Sequence, residues 1–188
     1  MSIAKHKTRN ARLVTGTENR THAFNRVYMK KHTISVLVEN RFGVLARIAG
    51  LFSARGFNID SLAVGETEDP TVSRMTITLS GDDKILQQVK KQLNKLIDVI
   101  KVIDFTREEC ISREIILIKV SVVEEKKPEI IKIVDSVGAK VIDVGPETIT
   151  VEETGDEGRI HAILELLKPY GIKEIVRSGR IAIGKEGT

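Results

Sequence analysis

Apolar positions along this chain alternate between strand-like and helix-like spacing. Residues 34–39, Ile-Ser-Val-Leu-Val-Glu, form a short β-rich run, and Asn40-Arg-Phe-Gly43 reads as a turn. Val44, Leu45, Ile48, Ala49 and Phe52 then recur at helical spacing, and Gly56 ends the helix. A strand is predicted over 57–64 and a hairpin-type loop over 65–70. A half-buried strand follows where Met75, Ile77 and Leu79 alternate with Arg74, Thr76 and Thr78. Asp82 and Asp83 suit the start of a second helix carrying Ile85, Leu86, Val89, Leu93 and Leu96, and a last strand covers 99–105.

The same order then repeats. Residues 114–123 form a strand, and Pro128 opens a helix with Ile130, Ile131, Val134 and Val137 on its apolar face before Gly138. Strands at 140–144 and 148–152 meet across Gly145-Pro146. Ile160, Ile163, Leu164 and Leu167 mark a helix stopped by Pro169 and Gly171, and 172–176 with 181–183 supply the closing strand or strands. Two strand–helix–strand–strand–helix–strand units predict an α+β protein of two tandem ferredoxin-like (βαββαβ) domains. The expected division is an arm at 1–31, a first domain at 32–106, a linker at 107–112 and a second domain at 113–188. At about 75 residues each, such units are near the lower limit for an independent core. Only one sheet face is covered by helices, so oligomerisation is expected on physical grounds.

Charge adds one feature. The formal net charge is +4, but residues 1–31 alone carry +7, so the remaining 157 residues carry −3. The basicity belongs to the arm, which reads as a solvated tail rather than a nucleic-acid or lipid contact. Met29 directly precedes the first strand-like run, so residues 1–28 also read as an upstream extension. No apolar run approaches the roughly 20 residues of a membrane span, and no secretory leader is evident. One cysteine, Cys110, cannot form an intramolecular disulfide. The expectation is a cytoplasmic protein without membrane or nucleic-acid partners.

Candidate chemistry is sparse. There is no nucleophile elbow, phosphate loop or dinucleotide glycine motif, and four scattered histidines make no metal spacing. No catalytic or metal site is expected, and no cofactor on this chain. Cys110 reads as an idle thiol in the link, His161 as a solvated helix position, and Glu66, Glu68 and Asp69 as a solvated turn.

The turn 40–43 is different. Gly43, lacking a Cβ, opens the first-turn N–H groups of a helix to a ligand carboxylate, an attraction of about 0.3–2 kcal/mol. Asn40 offers a donor and an acceptor. Asn58 lies at the far end of the same helix, roughly 20 Å away at 1.5 Å per residue, so two copies paired along an edge strand are needed to bring one chain's Asn58 to the other's Asn40. Such a site fits a free amino acid: carboxylate on the helix start, ammonium on amide oxygens, side chain against Val44, Leu45 and Ile59. An ordinary glycine turn with a local capping asparagine explains the same spacing.

Several segments carry a family resemblance. The stretch 34–62, ISVLVENRFGVLARIAGLFSARGFNIDSL, closely resembles the small regulatory subunit of acetolactate synthase, also called acetohydroxyacid synthase. So do 69–77 (DPTVSRMTI), 90–99 (KKQLNKLIDV), 113–120 (REIILIKV) and 175–179 (IVRSG), over about residues 30–184. The resemblance implies that the first domain is an ACT domain, a ferredoxin-like module that binds amino acids at a homodimer interface. It implies a separate large catalytic subunit carrying thiamine diphosphate, Mg and FAD. The small subunit is then not an enzyme itself: it activates that partner and confers feedback inhibition by valine or another branched-chain amino acid. The family's effector residues fall on Asn40, Gly43, Val44 and Leu45, with Asn58 and Ile59 from the partner chain. The second copy's corresponding turn, 122–128, lacks the glycine and places two carboxylates there, so it is not expected to bind an amino acid the same way. The alternative, an amino-acid-sensing transcription regulator, needs a helix-turn-helix, and the pattern contains none.

Overall fold

The structure, a computed structural model, describes residues 30–106 and 109–185. The first domain comprises β1 (Lys30–Glu39), α1 (Val44–Ser53), β2 (Ser61–Glu66), β3 (Val72–Gly81), α2 (Asp83–Leu93) and β4 (Val99–Asp104). Its strands form an antiparallel sheet in the order β2-β3-β1-β4. The register between β1 and β3 runs without a break from Lys30 opposite Gly81 to Glu39 opposite Val72. The second domain comprises β5 (Cys110–Ser121), α3 (Lys127–Ser136), β6 (Lys140–Val144), β7 (Thr148–Gly155), α4 (Glu157–Leu167), β8 (Ile172–Arg177) and β9 (Ile181–Gly184). Its sheet order, β6-β7-β5-β8, is equivalent to that of the first domain. Both units are the ferredoxin-like arrangement expected from the repeat.

Local chemistry explains most boundaries. Asp82 and Asp156 are extended N-caps whose carboxylates accept from the amides of Ile85 and Arg159, at 2.8 and 2.9 Å. Ile34, Val36 and Val38 of β1 pack with Met75, Ile77 and Leu79 of β3 beneath Ile48, Phe52, Leu86, Val89 and Leu93 of the helices. Ile116, Ile118, Val120, Ile149 and Val151 do the same beneath Ile130, Val134, Ile160, Ile163 and Leu167. Each such side chain contributes about 1.5–3 kcal/mol by burial.

Four boundaries differ from the sequence reading. Lys30 and Lys31, assigned above to the arm, belong to β1; the rest of that arm lies outside the described residues. Residues 57–60 are not strand: Phe57 folds back on Phe52, its amide donating to the Phe52 carbonyl at 3.0 Å and the rings meeting edge-on, and β2 starts only at Ser61. Gly65 and Glu66 extend β2 because β3 supplies their partners, Arg74 and Ser73. Within the predicted linker, Cys110, Ile111 and Ser112 are strand, because β9 returns to pair with them. The closing run is thus two strands: β8 completes the sheet, and β9 forms a ribbon with the start of β5.

The face of the first sheet opposite its helices is polar yet buried. Thr33, Ser35, Thr76 and Thr78 are at most 7% exposed. Two of the hydroxyls pair within the sheet, Thr78 with Ser61 at 2.7 Å and Ser35 with Arg74 at 3.1 Å. Ile181 and Ala182 of β9 reach this face beside Ala63, Arg74 and Thr76. Ionic contacts join the domains at its end. The Glu157 carboxylate takes hydrogen bonds from Lys31 Nζ and Arg180 Nη2, both at 2.6 Å, and Arg180 Nη1 donates to Thr33 Oγ1 at 3.3 Å.

Those hydrogen bonds, Lys31 first and then Arg180, hold the Glu157 carboxyl down to about 2, from an ordinary value of 4.5. A depressed carboxylate stabilises the fold above its unfolded value and loses that contribution as pH falls through the folded one. The gap in thermal midpoint between the native chain and Glu157→Gln is therefore expected to be steady at neutral pH. It should close as pH drops from 4.5 toward about 2. Asp98 and Asp104 also titrate low but are common to both proteins, so scanning calorimetry of the pair isolates Glu157.

Candidate functional site

The β1–α1 turn gathers four of the six candidate residues. Asn40 follows the end of β1, where its amide donates to the Thr71 carbonyl at 2.7 Å. Its side-chain Nδ2 donates to Glu66 Oε1 at 3.1 Å and to the Pro70 carbonyl at 2.9 Å. The side-chain amide thus holds the turn to the end of β2 and to the β2–β3 loop, and its oxygen is left to accept. Gly43 is the N-cap of α1 at φ +84°, with no side-chain cap. A Cβ there would meet nothing within 4 Å, so the conformation requires glycine and the space in front of it is open.

The helix start carries the donors. Val44 N–H makes only a 3.4 Å contact to the Arg41 carbonyl. Leu45 and Ala46 lie in the first turn, where no helical carbonyl stands one turn back. The surrounding charge is balanced. Asp98, whose side chain is 3% exposed, receives Arg41 Nη2 at 2.5 Å and Arg47 Nε at 2.7 Å, and Arg41 also pairs with Glu39 at 2.8 Å. The hydrogen bond from Arg41, then the charge of Arg47, holds the Asp98 carboxyl below its usual range. With both guanidiniums matched, a ligand carboxylate at this turn is drawn by backbone amides and the helix dipole. A cleft of about 430 Å³ lined by Glu39, Asn40, Arg41, Thr71, Val72 and Ile100 opens beside Asn40.

Two placements differ from the expected pocket. Val44 is buried in the first core, 2% exposed, because it shares a helical stripe with Ile48, Leu51 and Phe52. Its backbone can serve a ligand, but its side chain cannot line the pocket; that stripe was readable in the sequence. Leu45, 45% exposed, stays outward. Asn58 and Ile59 lie beyond the other end of α1, and one chain does not bring them to Gly43. Asn58 is exposed and donates to Asp60 Oδ1 at 2.9 Å, while Ile59 packs against the core edge. The sequence reading also missed Asp98, which comes from the α2–β4 turn and which no local signal ties to Arg41 and Arg47.

The second domain's corresponding turn is built differently. Glu124–Lys126 form a single 3-10 turn, and α3 starts after Lys126 in right-handed conformation, with no glycine. A larger cavity, about 850 Å³, lies here, but Glu124, Glu125, Glu129 and Glu147 outnumber Lys126 and Lys173 on its walls. That excess of negative charge repels a ligand carboxylate. Cys110 is half-buried in β5, and His161 is exposed on α4. Among the described residues no group of His, Cys, Asp and Glu could hold a metal, and no helix is long and apolar enough to cross a membrane.

Fold and turn together define a tandem ferredoxin-like protein whose first unit is of the ACT type. Residues 34–101 match the family of the acetohydroxyacid synthase small subunit-like ACT domain, and residues 113–186 match that of the small subunit of acetolactate synthase. The acetolactate synthase small subunit of Mycobacterium bovis is 52% identical over 156 residues, covering 83% of this chain and 93% of its own. That of Aquifex aeolicus is 48% identical, covering 84% and 83%. The crystal structure of the acetolactate synthase small subunit from Thermotoga maritima aligns at a TM-score of 0.75 and 40% identity, over 85% of this chain and all of its own. The chain belongs to the acetolactate synthase small-subunit family.

Because Gly43 sits at φ +84°, Gly43→Ala is expected to cost about 1–2 kcal/mol through strain alone, although the methyl group meets no atom. Denaturant unfolding checks this; Gly50→Ala, inside α1 at an exposed position with equally open space, should instead be neutral or stabilising.

Proposed function

We propose that this chain is the non-catalytic regulatory subunit of acetolactate synthase, which activates a separate catalytic subunit and makes it inhibitable by a branched-chain amino acid, with valine the first candidate. Thiamine diphosphate, Mg and FAD belong, in this reading, to the catalytic subunit. The observation that carries the effector assignment is the glycine-opened start of α1, with charge-balanced arginines behind it and the Asn40 amide oxygen beside it.

Pairing of two copies completes the pocket. β2 is an edge strand with Val64 46% exposed, and an edge readily accepts another strand. Antiparallel pairing of β2 with β2 of a second copy about its middle sets Ser61 opposite Glu66, and three residues further outward Asn58 comes opposite Asp69. Asp69 adjoins Pro70, whose carbonyl holds Asn40. Asn58 and Ile59 of one copy then face Asn40 and Gly43 of the other. The amino acid's carboxylate takes the amides of Leu45 and Ala46, its ammonium the asparagine oxygens, and its side chain Leu45 and Ile59. Selecting valine over leucine or isoleucine by one methylene is worth only about 1–3 kcal/mol. The transcription-regulator reading has no support: the four helices of the described residues each pack on a sheet, leaving none to read DNA.

Titration calorimetry on the full chain should detect valine binding, lost in Gly43→Asp, whose carboxylate occupies the ligand's place, and weakened about tenfold or more in Asn40→Ala. Wild-type chain that binds no branched-chain amino acid below millimolar concentration would sink the assignment. Mixing with the catalytic subunit should raise acetolactate formation from pyruvate, and valine should reverse that gain.

A further inference from the structure

The corner between β8 and β9 touches the first domain where the proposed pocket begins. Gly179 has φ +79°, and a Cβ on it would lie 3.4 Å from the Leu62 carbonyl oxygen and 3.6 Å from Ser61 Cβ. Glycine is required here by the backbone conformation, while a Cβ would meet β2 only at ordinary van der Waals distances. The next residue, Arg180, directs its backbone N–H at Ser61 Oγ, 3.5 Å away, while the same hydroxyl meets Thr78 Oγ1 at 2.7 Å. The Arg180 guanidinium, 18% exposed, spans Thr33 Oγ1 of β1 and Glu157 of α4, and Glu157 is held in turn by Lys31. Arg180 therefore ties the second domain's helix start and β8–β9 corner to two strands of the first sheet, to β1 through its side chain and to β2 through its backbone N–H. Ser61 and Leu62 follow directly on Asn58, Ile59 and Asp60.

We infer that Arg180 is a positioning residue for regulation: with Gly179 it seats the second domain on the start of β2, so that occupation of the effector pocket at Asn58 and Ile59 is passed to the second domain. This rests on the effector reading above and names the element through which that site acts. The physical basis is that the corner and the first sheet share hydrogen bonds. The Arg180 N–H reaches Ser61 Oγ of β2 and its guanidinium reaches Thr33 of β1, so a shift of β2 must either carry the corner along or break these contacts. By reciprocity, releasing the corner changes effector affinity by the same factor by which the effector changes corner docking. The factor expected for such coupling is about 5-fold or more.

The test is amide hydrogen exchange on the full chain with and without valine, combined with inhibition of the enzyme reconstituted with its catalytic subunit. In the native chain valine should slow exchange at 58–62 and also at 179–182. In Arg180→Ala the second protection should vanish while the first persists, and the valine midpoint for inhibition should move by about 5-fold or more. Arg180→Lys, which keeps the pair with Glu157, should restore part of both responses, whereas a merely structural loss would not be rescued by charge. Ser61→Ala removes the β2 contact without altering Arg180 and should reproduce the effect in milder form. Unchanged exchange in β3 and β7 reports that both domains stay folded. Protection at 58–62 with none at 179–182 in the native chain, or an Arg180→Ala enzyme inhibited with unchanged midpoint and depth, overturns the proposal. If valine protects neither segment, the effector reading itself falls and this inference with it.

Discussion

A four-stranded sheet with two helices on one side has a second side to dispose of, and in this protein the solution fixes much else. The first sheet lines that side with Thr33, Ser35, Thr76 and Thr78, pairs Thr78 with Ser61 and Ser35 with Arg74, and buries all four. Buried hydroxyls are tolerated only when hydrogen-bonded, so the face is polar but closed, and it suits a specific neighbour rather than an arbitrary apolar one. That neighbour is the second domain's β9, with Arg180 and Glu157 at its end. Covering the face this way still leaves the β2 edge exposed.

The β1–α1 turn balances its charge with the same economy. A bare guanidinium beside a helix start attracts anions indiscriminately. Here Asp98 absorbs both Arg41 and Arg47, so the arginines brace the turn while amides provide directional attraction. The second domain shows the contrast. Its equivalent turn has the same place in the fold and a larger cavity, but glutamates crowd it and no glycine opens the helix. Duplication of a fold has not duplicated its chemistry.

Much of the architecture was legible because its causes are local. Alternation of period two and apolar stripes of period 3.6 mark strands and helices, Asp82 caps a helix, and the glycines at 43, 56 and 138 sit at left-handed turns. The errors came where a distant segment decided. Cys110–Ser112 look like a polar link until β9 supplies partners, and 57–60 look like strand until Phe57 closes on Phe52. Val44 is a separate case: its place in the core follows from the stripe it shares with Ile48 and Phe52, a local pattern that the sequence itself displays.

What the chain determined by itself, then, is the two-fold repeat of βαββαβ units and the glycine turn at 40–43, because periodicity and the φ restriction at a helix start are properties of neighbouring residues. What only the tertiary structure decided is how that turn is held, by Asp98 from one loop and Glu66 and Pro70 from another, and how the second domain seats on β2 through Gly179 and Arg180. Those contacts join residues far apart in sequence, and a hydrogen bond between such partners exists only once the fold has brought the segments that carry them together.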